Sequence, residues 1–136
     1  MTISSGATGK RGELHVFGEL LKRQIIPYAP IVDLEGVDCI IRKSDGSYIE
    51  LQVKTLNTPK TPMWWQVVNA PQRANYYYAL ISIPLGWTTW ILPSTVFIAN
   101  ASGPTGPKRN IYDLDVGSAG RETKLKLYKE NWSQLA

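Results

Sequence analysis

Three polar residues, Glu50, Gln52 and Lys54, alternate with apolar residues near the middle of the chain. In a β-strand, a period of two places such side chains on one face and the intervening apolar side chains on the other. A carboxylate, an amide and an ammonium group would then share a surface, and Asp38 would bring a second carboxylate from the neighbouring strand. Oxygen anions are the ligands that Mg²⁺ prefers, and a lysine beside them attracts a phosphate group. The pattern therefore predicts a site for Mg²⁺ and a phosphate.

This polar face belongs to a predicted β-hairpin. An apolar run over residues 37–41 and an alternating run over residues 48–54 flank Ser44, Asp45 and Gly46. Turn-forming residues between two such runs are typical of antiparallel strands joined by a tight turn. The two candidate carboxylates would thus lie on paired strands.

A helix is predicted before the hairpin, over residues 11–24. Its apolar residues recur at helical spacing and are Leu14, Phe17, Leu20 and Leu21. Pro27 and Pro30 forbid its continuation and carry the chain in an extended form toward the first strand. The polar, glycine-containing residues 1–10 are expected to form a flexible lead-in.

Several β-prone runs after the hairpin predict the rest of a sheet. Residues 64–68, 76–83 and 88–92 have the composition of strands, residues 102–108 that of a loop, and residues 122–135 that of a last helix. With the first helix on one face of the sheet, these elements predict a single-domain α/β fold. Its mixed central sheet would have four to five strands flanked by helices.

The composition limits the kinds of protein that the chain can be. Its 136 residues, 43% of them hydrophobic, suffice for one domain with one core. The single cysteine, Cys39, excludes an internal disulfide and a zinc site with several Cys ligands. A formal net charge of +4 permits a polyanionic partner. Because no segment has the length of a membrane span or the form of a signal peptide, we expect a cytoplasmic protein without a membrane partner.

The order of the candidate site residues resembles the PD-(D/E)XK nuclease superfamily. Asp38 followed by Glu50-Leu51-Gln52-Val53-Lys54 is similar to its ExQxK variant, in which Gln fills the usual second acidic position and Glu lies two residues earlier. The run GELHVFGELLKRQ resembles the first helix of the superfamily, which often presents a Glu to the metal. That residue would be Glu13, with Glu19 as the alternative. The chain looks most like the small endonucleases related to intron-encoded homing enzymes, and next most like archaeal-type Holliday junction resolvases.

The resemblance implies a restriction-endonuclease-like fold and cleavage of DNA that depends on Mg²⁺ or Mn²⁺. The implied metal ligands are all oxygen donors and are Asp38, Glu50, the amide oxygen of Gln52 and the backbone carbonyl of Val53. Lys54 would orient or deprotonate the attacking water, or stabilise the charge of the transition state. Glu13 would add a further catalytic acid from the helix.

Candidate contacts to double-stranded DNA lie outside the hairpin. They are Trp64, Gln72, Arg73, Lys108 and Arg109. Trp64 and Trp65 are adjacent, so in a strand they point to opposite faces and only one of them is expected in the core. A homodimer or higher homo-oligomer is expected, because one small subunit holds one site and a duplex has two strands.

Other interpretations of the same residues remain open. Glu50, Gln52 and Lys54 could form an ordinary exposed strand face, and Glu13 could only complement the helix dipole. The protein could also be a nucleic-acid-binding module that has lost cleavage, because Gln52 removes one negative charge from the site. A third possibility is an interaction domain whose Trp-rich surface binds protein.

Overall fold

The structure, a computed structural model, describes residues 4–118 and 120–136. The helices in these ranges are α1 (Ser5–Lys22), α2 (Ser94–Asn100) and α3 (Arg121–Lys124), followed by short 3₁₀ segments at Lys126–Tyr128 and Trp132–Leu135. The strands are β1 (Pro27–Tyr28), β2 (Cys39–Arg42), β3 (Tyr48–Leu56), β4 (Trp64–Val68), β5 (Tyr76–Ser82), β6 (Thr88–Pro93), β7 (Ser102–Thr105) and β8 (Ile111–Asp115). None of these helices is long and apolar enough to cross a membrane.

A five-stranded mixed sheet carries the predicted hairpin at its centre. The strand order is β1-β2-β3-β5-β6. Strands β3 and β5 are parallel, and the other neighbours are antiparallel. The predicted α/β fold with a mixed sheet of four to five strands is therefore confirmed. The alternation of β3 is confirmed as well, since Ile49, Leu51 and Val53 are buried in the core.

Helix α1 covers the face of β3 that carries these apolar residues. Val16 and Leu20 of the helix are fully buried and join the same hydrophobic cluster. The helix crosses β3 at Gly12, where an added Cβ would overlap Thr55 Oγ1 and lie 2.9 Å from Thr55 Cβ. A residue without a side chain is thus required for this close approach.

The start of α1 corrects the predicted flexible lead-in over residues 1–10. Residues 1–3 lie outside the described ranges, but the helix begins at Ser5 rather than at Arg11. The Ser4 side chain accepts a hydrogen bond from the Ala7 N–H at 3.2 Å and so caps the first turn. A serine cap and the following turns outweigh the low helix propensity of Gly6 and Gly9.

A second sheet, which the sequence did not predict as separate, packs on the other side of the central one. Its order is β4-β8-β7. Trp65 of β4 is buried, whereas Trp64 is 41% exposed, as the alternation predicts. The predicted loop over residues 102–108 is wrong in its first half, because Ser102–Thr105 pairs with β8 as strand β7.

The predicted last helix over residues 122–135 is broken into short pieces. Glu130 has a φ of 54° and leaves the helical path. Its backbone N–H donates to the Thr89 carbonyl, and its side chain accepts from the Thr89 N–H at 2.8 Å. This segment therefore satisfies backbone groups at the edge of β6, which a continuous helix could not reach.

Candidate active site

Asp38 immediately precedes β2 and extends the pairing between β2 and β3. Its N–H donates to the Leu51 carbonyl at 2.9 Å, and its Oδ2 accepts from the Val53 N–H at 2.8 Å. Since Cys39 lies opposite Leu51 in the antiparallel register, Asp38 is level with Gln52. The strands thus fix a carboxylate beside the middle of the Gln52-Val53-Lys54 run.

Glu13 of α1 brings a second carboxylate to Asp38. Burial raises the pKa of the Asp38 carboxyl from 3.8 to about 6, and the hydrogen bond and charge of Glu13 add to this effect. The Val53 N–H and the Lys54 ammonium act in the opposite direction. Lys10 Nζ lies 2.7 Å from Glu13 Oε2. Two partly buried carboxylates therefore line one cavity, and Lys10 pairs with one of them.

The carboxylate of Glu50 is directed elsewhere. It forms an ion pair with Arg73, whose guanidinium lies 4.7 Å from the centre of the Tyr76 ring. In the β2–β3 register Glu50 is opposite Ile40, two residues away from the level of Asp38. The structure thus brings Glu13, rather than Glu50, into contact with Asp38.

Gln52 and Lys54 line a polar groove between β3 and the second sheet. The groove has a volume of about 530 Å³, and its other lining residues are Glu35, Gly36, Val68, Asn69 and Pro71. Gln52 itself is only 8% exposed, and its Oε1 lies 2.9 Å from the Tyr76 hydroxyl. Lys54 is half-buried at the same face. The groove therefore offers a cation and an amide to a ligand that enters it.

The Val53 carbonyl faces the side of β3 on which Asp38 lies. In antiparallel pairs the N–H and C=O of one residue face the same neighbouring strand. Because the Val53 N–H donates to Asp38, the Val53 carbonyl faces the same side of β3, beyond the end of β2. A backbone oxygen is thus available on the side of β3 where Asp38 lies.

This set of donors fits a hard cation by its chemistry. Within residues 4–118 and 120–136 there is no cluster of three or more His, Cys, Asp or Glu side chains that could hold a metal. Glu13 and Asp38 nevertheless line one cavity of about 510 Å³, and the amide of Gln52 lines the separate groove on β3, so oxygen ligands of the kind that Mg²⁺ prefers are present on both sides of Asp38's position in the strands. A bound cation would also offset the burial and the nearby charge of Glu13 that raise the pKa of Asp38.

Comparison with known proteins identifies a related fold. No family model and no curated protein matches the sequence. Among solved structures, the chain is similar to a bacterial homing endonuclease, I-Ssp6803I, with a TM-score of 0.64 and 20% sequence identity. The match covers 98% of this chain and 91% of that chain. The protein therefore has a nuclease-like fold.

The predicted DNA contacts fall into separate places. Lys108 and Arg109 are exposed on the turn between β7 and β8, and Gln72 is exposed on the loop between β4 and β5. That loop also carries Arg73, which is engaged by Glu50. Trp64 is four residues from the groove residue Val68, or about 13 Å along the strand, and lies outside the groove.

Two asparagines that were not among the predicted site residues connect the basic turn to the groove. Asn110 follows the turn, and its Nδ2 donates to Asn69 Oδ1 at 2.9 Å. Asn69 in turn donates through Nδ2 to Glu35 Oε1 at 3.4 Å. Asn69 has a φ of 54°. Its type was an available signal, because asparagine tolerates such a left-handed conformation at the end of a strand.

Proposed function

We propose that the protein is a metal-dependent DNA endonuclease of the PD-(D/E)XK superfamily. The observation that carries this proposal is the pair of carboxylates, Glu13 and Asp38, that line one cavity on a nuclease-like fold. The fold alone would be weak support, because one fold serves many functions. The name of the structural neighbour, a homing endonuclease, supports cleavage of a nucleic acid.

Mg²⁺ or Mn²⁺ would be held by Glu13, Asp38, the Val53 carbonyl and Gln52. A bound divalent ion supplies charge neutralisation on the phosphate and on the departing alkoxide. The Val53 N–H keeps the Asp38 carboxylate in one orientation, so the ligands are arranged before substrate arrives. The ligand set thus differs from the predicted one, since Glu13 takes the place of Glu50.

Lys54 is the residue that we assign to the reacting phosphate. It lies one residue beyond Val53 on β3 and shares the groove with Gln52. From there its ammonium would orient the attacking water and neutralise the charge that develops on the phosphoryl oxygens. The Lys54 charge acts to lower the pKa of Asp38, so this positive charge is near that carboxylate.

The DNA backbone would follow the groove toward the turn between β7 and β8. Lys108 and Arg109 on that turn offer positive charge, and Asn69 lies between the turn and Lys54. Phosphate contacts of this kind position a duplex without reading its sequence. Cutting both strands requires two such sites, so we propose that a homodimer or higher homo-oligomer acts.

Cleavage of supercoiled plasmid and of a branched junction with Mg²⁺ or Mn²⁺ tests the proposal. Wild type should cut, and Lys54→Ala should lose at least about 100-fold in rate while it keeps most of its DNA affinity. Lys43→Ala is the matched control, because Lys43 lies at the opposite end of the hairpin. Equal rates for wild type and Lys54→Ala would refute the assignment.

A catalytically silent DNA-binding module is the second candidate. Two observations favour it, namely the ion pair that engages Glu50 and the neutral Gln52 in an acidic position. Such a module would bind duplex DNA with a strong salt dependence, and Mg²⁺ would produce no cleavage of a DNA library. Cleavage of any member of that library that requires Lys54 would exclude it.

A further inference from the structure

The Tyr76 hydroxyl lies between two oxygen atoms that both accept hydrogen bonds. It hydrogen-bonds the Gly36 carbonyl, and it lies 2.9 Å from Gln52 Oε1. A phenol has one hydrogen to donate, so it can serve only one of these oxygens. Burial raises the pKa of Tyr76, which keeps that hydrogen in place. One of the two contacts therefore needs a different donor.

The Gly36 carbonyl cannot donate, so it must receive the hydrogen of Tyr76. The remaining lone pairs of the hydroxyl then face the Gln52 amide and require a donor from it. A half-turn of the amide about its last torsion exchanges Oε1 and Nε2 at almost no steric cost, because the two ends have nearly the same shape. After this turn Nε2 donates to the Tyr76 hydroxyl, and both contacts are satisfied.

We propose that Tyr76 is a positioning residue that holds the Gln52 amide with its nitrogen toward Tyr76 and its oxygen toward the groove. In the described part of the chain, the end of the amide that faces away from Tyr76 makes no hydrogen bond, and Gln52 lines the groove beside Lys54. The turned amide therefore places its oxygen there. Resting on the proposed function, this orientation makes a neutral residue an oxygen ligand for the metal.

The surroundings of Tyr76 are rigid enough to enforce one orientation. Tyr76 is 1% exposed, and the Arg73 guanidinium covers its ring. Gly36 has a φ of 76°, and a Cβ there would lie 3.0 Å from the Tyr76 hydroxyl. The turn that presents the Gly36 carbonyl is closed by a hydrogen bond of 3.0 Å from the Val37 N–H to the Leu34 carbonyl. The hydroxyl thus has a fixed acceptor.

Nuclear magnetic resonance of the metal-free protein tests the orientation directly. If Nε2 faces Tyr76, the side-chain NH₂ of Gln52 gives nuclear Overhauser effects to the ring protons beside the Tyr76 hydroxyl. If these effects are absent while those to Tyr76 from its other neighbours are present, the proposal is overturned. This experiment needs neither metal nor DNA, so its outcome is independent of whether the protein cleaves DNA.

Calorimetric titration of Mn²⁺ into the protein without DNA tests the consequence. Tyr76→Phe should weaken Mn²⁺ binding about tenfold or more, as loss of a group that orients a ligand does. Tyr78→Phe is the matched control and should leave the affinity unchanged. Tyr78 is equally buried on the same strand, but its hydroxyl donates to the Pro71 carbonyl at 2.9 Å.

The same Tyr76→Phe substitution in a Gln52→Glu protein distinguishes loss of the amide orientation from a general disturbance of the structure. In Gln52→Glu both ends of the side chain are oxygens, so no residue needs to select one of them. Tyr76→Phe should then change Mn²⁺ affinity less than about twofold. An equal loss in both backgrounds, or no loss in the wild-type background, would overturn the positioning role. Failure of the wild-type protein to bind Mn²⁺ would refute the metal site. The nuclear magnetic resonance experiment would still determine the orientation of the Gln52 amide.

Discussion

Replacement of Asp38 by asparagine should stabilise the metal-free protein at neutral pH. Asparagine keeps an oxygen that accepts the Val53 N–H, and it removes the charge buried beside Glu13. The pKa of Asp38 rises from 3.8 to about 6 in the folded protein. Each pKa unit corresponds to about 1.4 kcal/mol, so the ionised carboxylate lowers the free energy of unfolding by about 3 kcal/mol at most. Because the site is partly open to solvent, about 1–2 kcal/mol is the expected gain.

The raised pKa of Asp38 also predicts how the stability difference between the two proteins changes with pH. Since its pKa is higher in the folded than in the unfolded protein, Asp38 contributes stability that is fully present below about pH 4. That stability is lost as the pH rises through about 6. The asparagine of the variant does not titrate and has no such dependence. The advantage of Asp38→Asn should therefore be small near pH 4, grow up to about pH 6 and be constant above about pH 7.

Urea unfolding in EDTA, at several pH values between 4 and 8, measures this difference. Asp45→Asn is the control of opposite sign, because the hydrogen bonds from Ser47 lower the pKa of that exposed carboxylate. An Asp38→Asn protein that is less stable than wild type at pH 8, or whose difference from wild type does not change with pH, would refute the reasoning. Addition of Mg²⁺ should raise the free energy of unfolding of wild type alone. A ligand stabilises a protein only by binding its folded state, and the variant lacks the Asp38 carboxylate that would bind Mg²⁺.

Two further predictions concern the helix and the hairpin. Gly12→Ala should lower the free energy of unfolding by about 1–3 kcal/mol, because the new Cβ overlaps Thr55 against a fixed strand. Gly18→Ala in the same helix has nothing within 4 Å of its Cβ and should stabilise by up to about 1 kcal/mol, and chemical denaturation compares the two. Glu50→Gln should leave Mn²⁺ affinity within about twofold in calorimetry, whereas Glu13→Gln should weaken it about tenfold or more. The reverse order would return Glu50 to the ligand set.

The hairpin was predictable because its signals are local. A period of two and a turn containing Gly46 suffice to define paired strands, and both are visible in the sequence. The second sheet was not predictable in the same way. Strand β4 pairs with β8, which lies far along the chain. The sequence of neither strand indicates which strand it pairs with. Ser4 is a residue type that commonly caps helices, but Gly6 and Gly9 after it have low helix propensity, so the helix start at Ser5 was not predicted.

The identity of the second carboxylate could not be read from the strand. Glu50 and Gln52 share one face of β3, so the alternating pattern alone does not indicate which of them lies beside Asp38. What distinguishes them is tertiary structure. The loop before β5 brings Arg73 to Glu50, and β5 brings the Tyr76 hydroxyl to Gln52. These neighbours come from a parallel pairing of β3 with β5, and such pairings leave no short-range signal.

The neutral residue at position 52 is consistent with the charges around it. Glu13 is paired with Lys10, and Asp38 interacts with Lys54, so two negative groups already face two positive ones. The charge of Asp38 is nevertheless disfavoured by burial and by Glu13. A third carboxylate at this level of the strands would raise the pKa of Asp38 further and oppose folding without metal. An amide whose oxygen is held toward the groove would supply a ligand atom without that repulsion, so in the proposed site the orientation of Gln52 matters more than its charge.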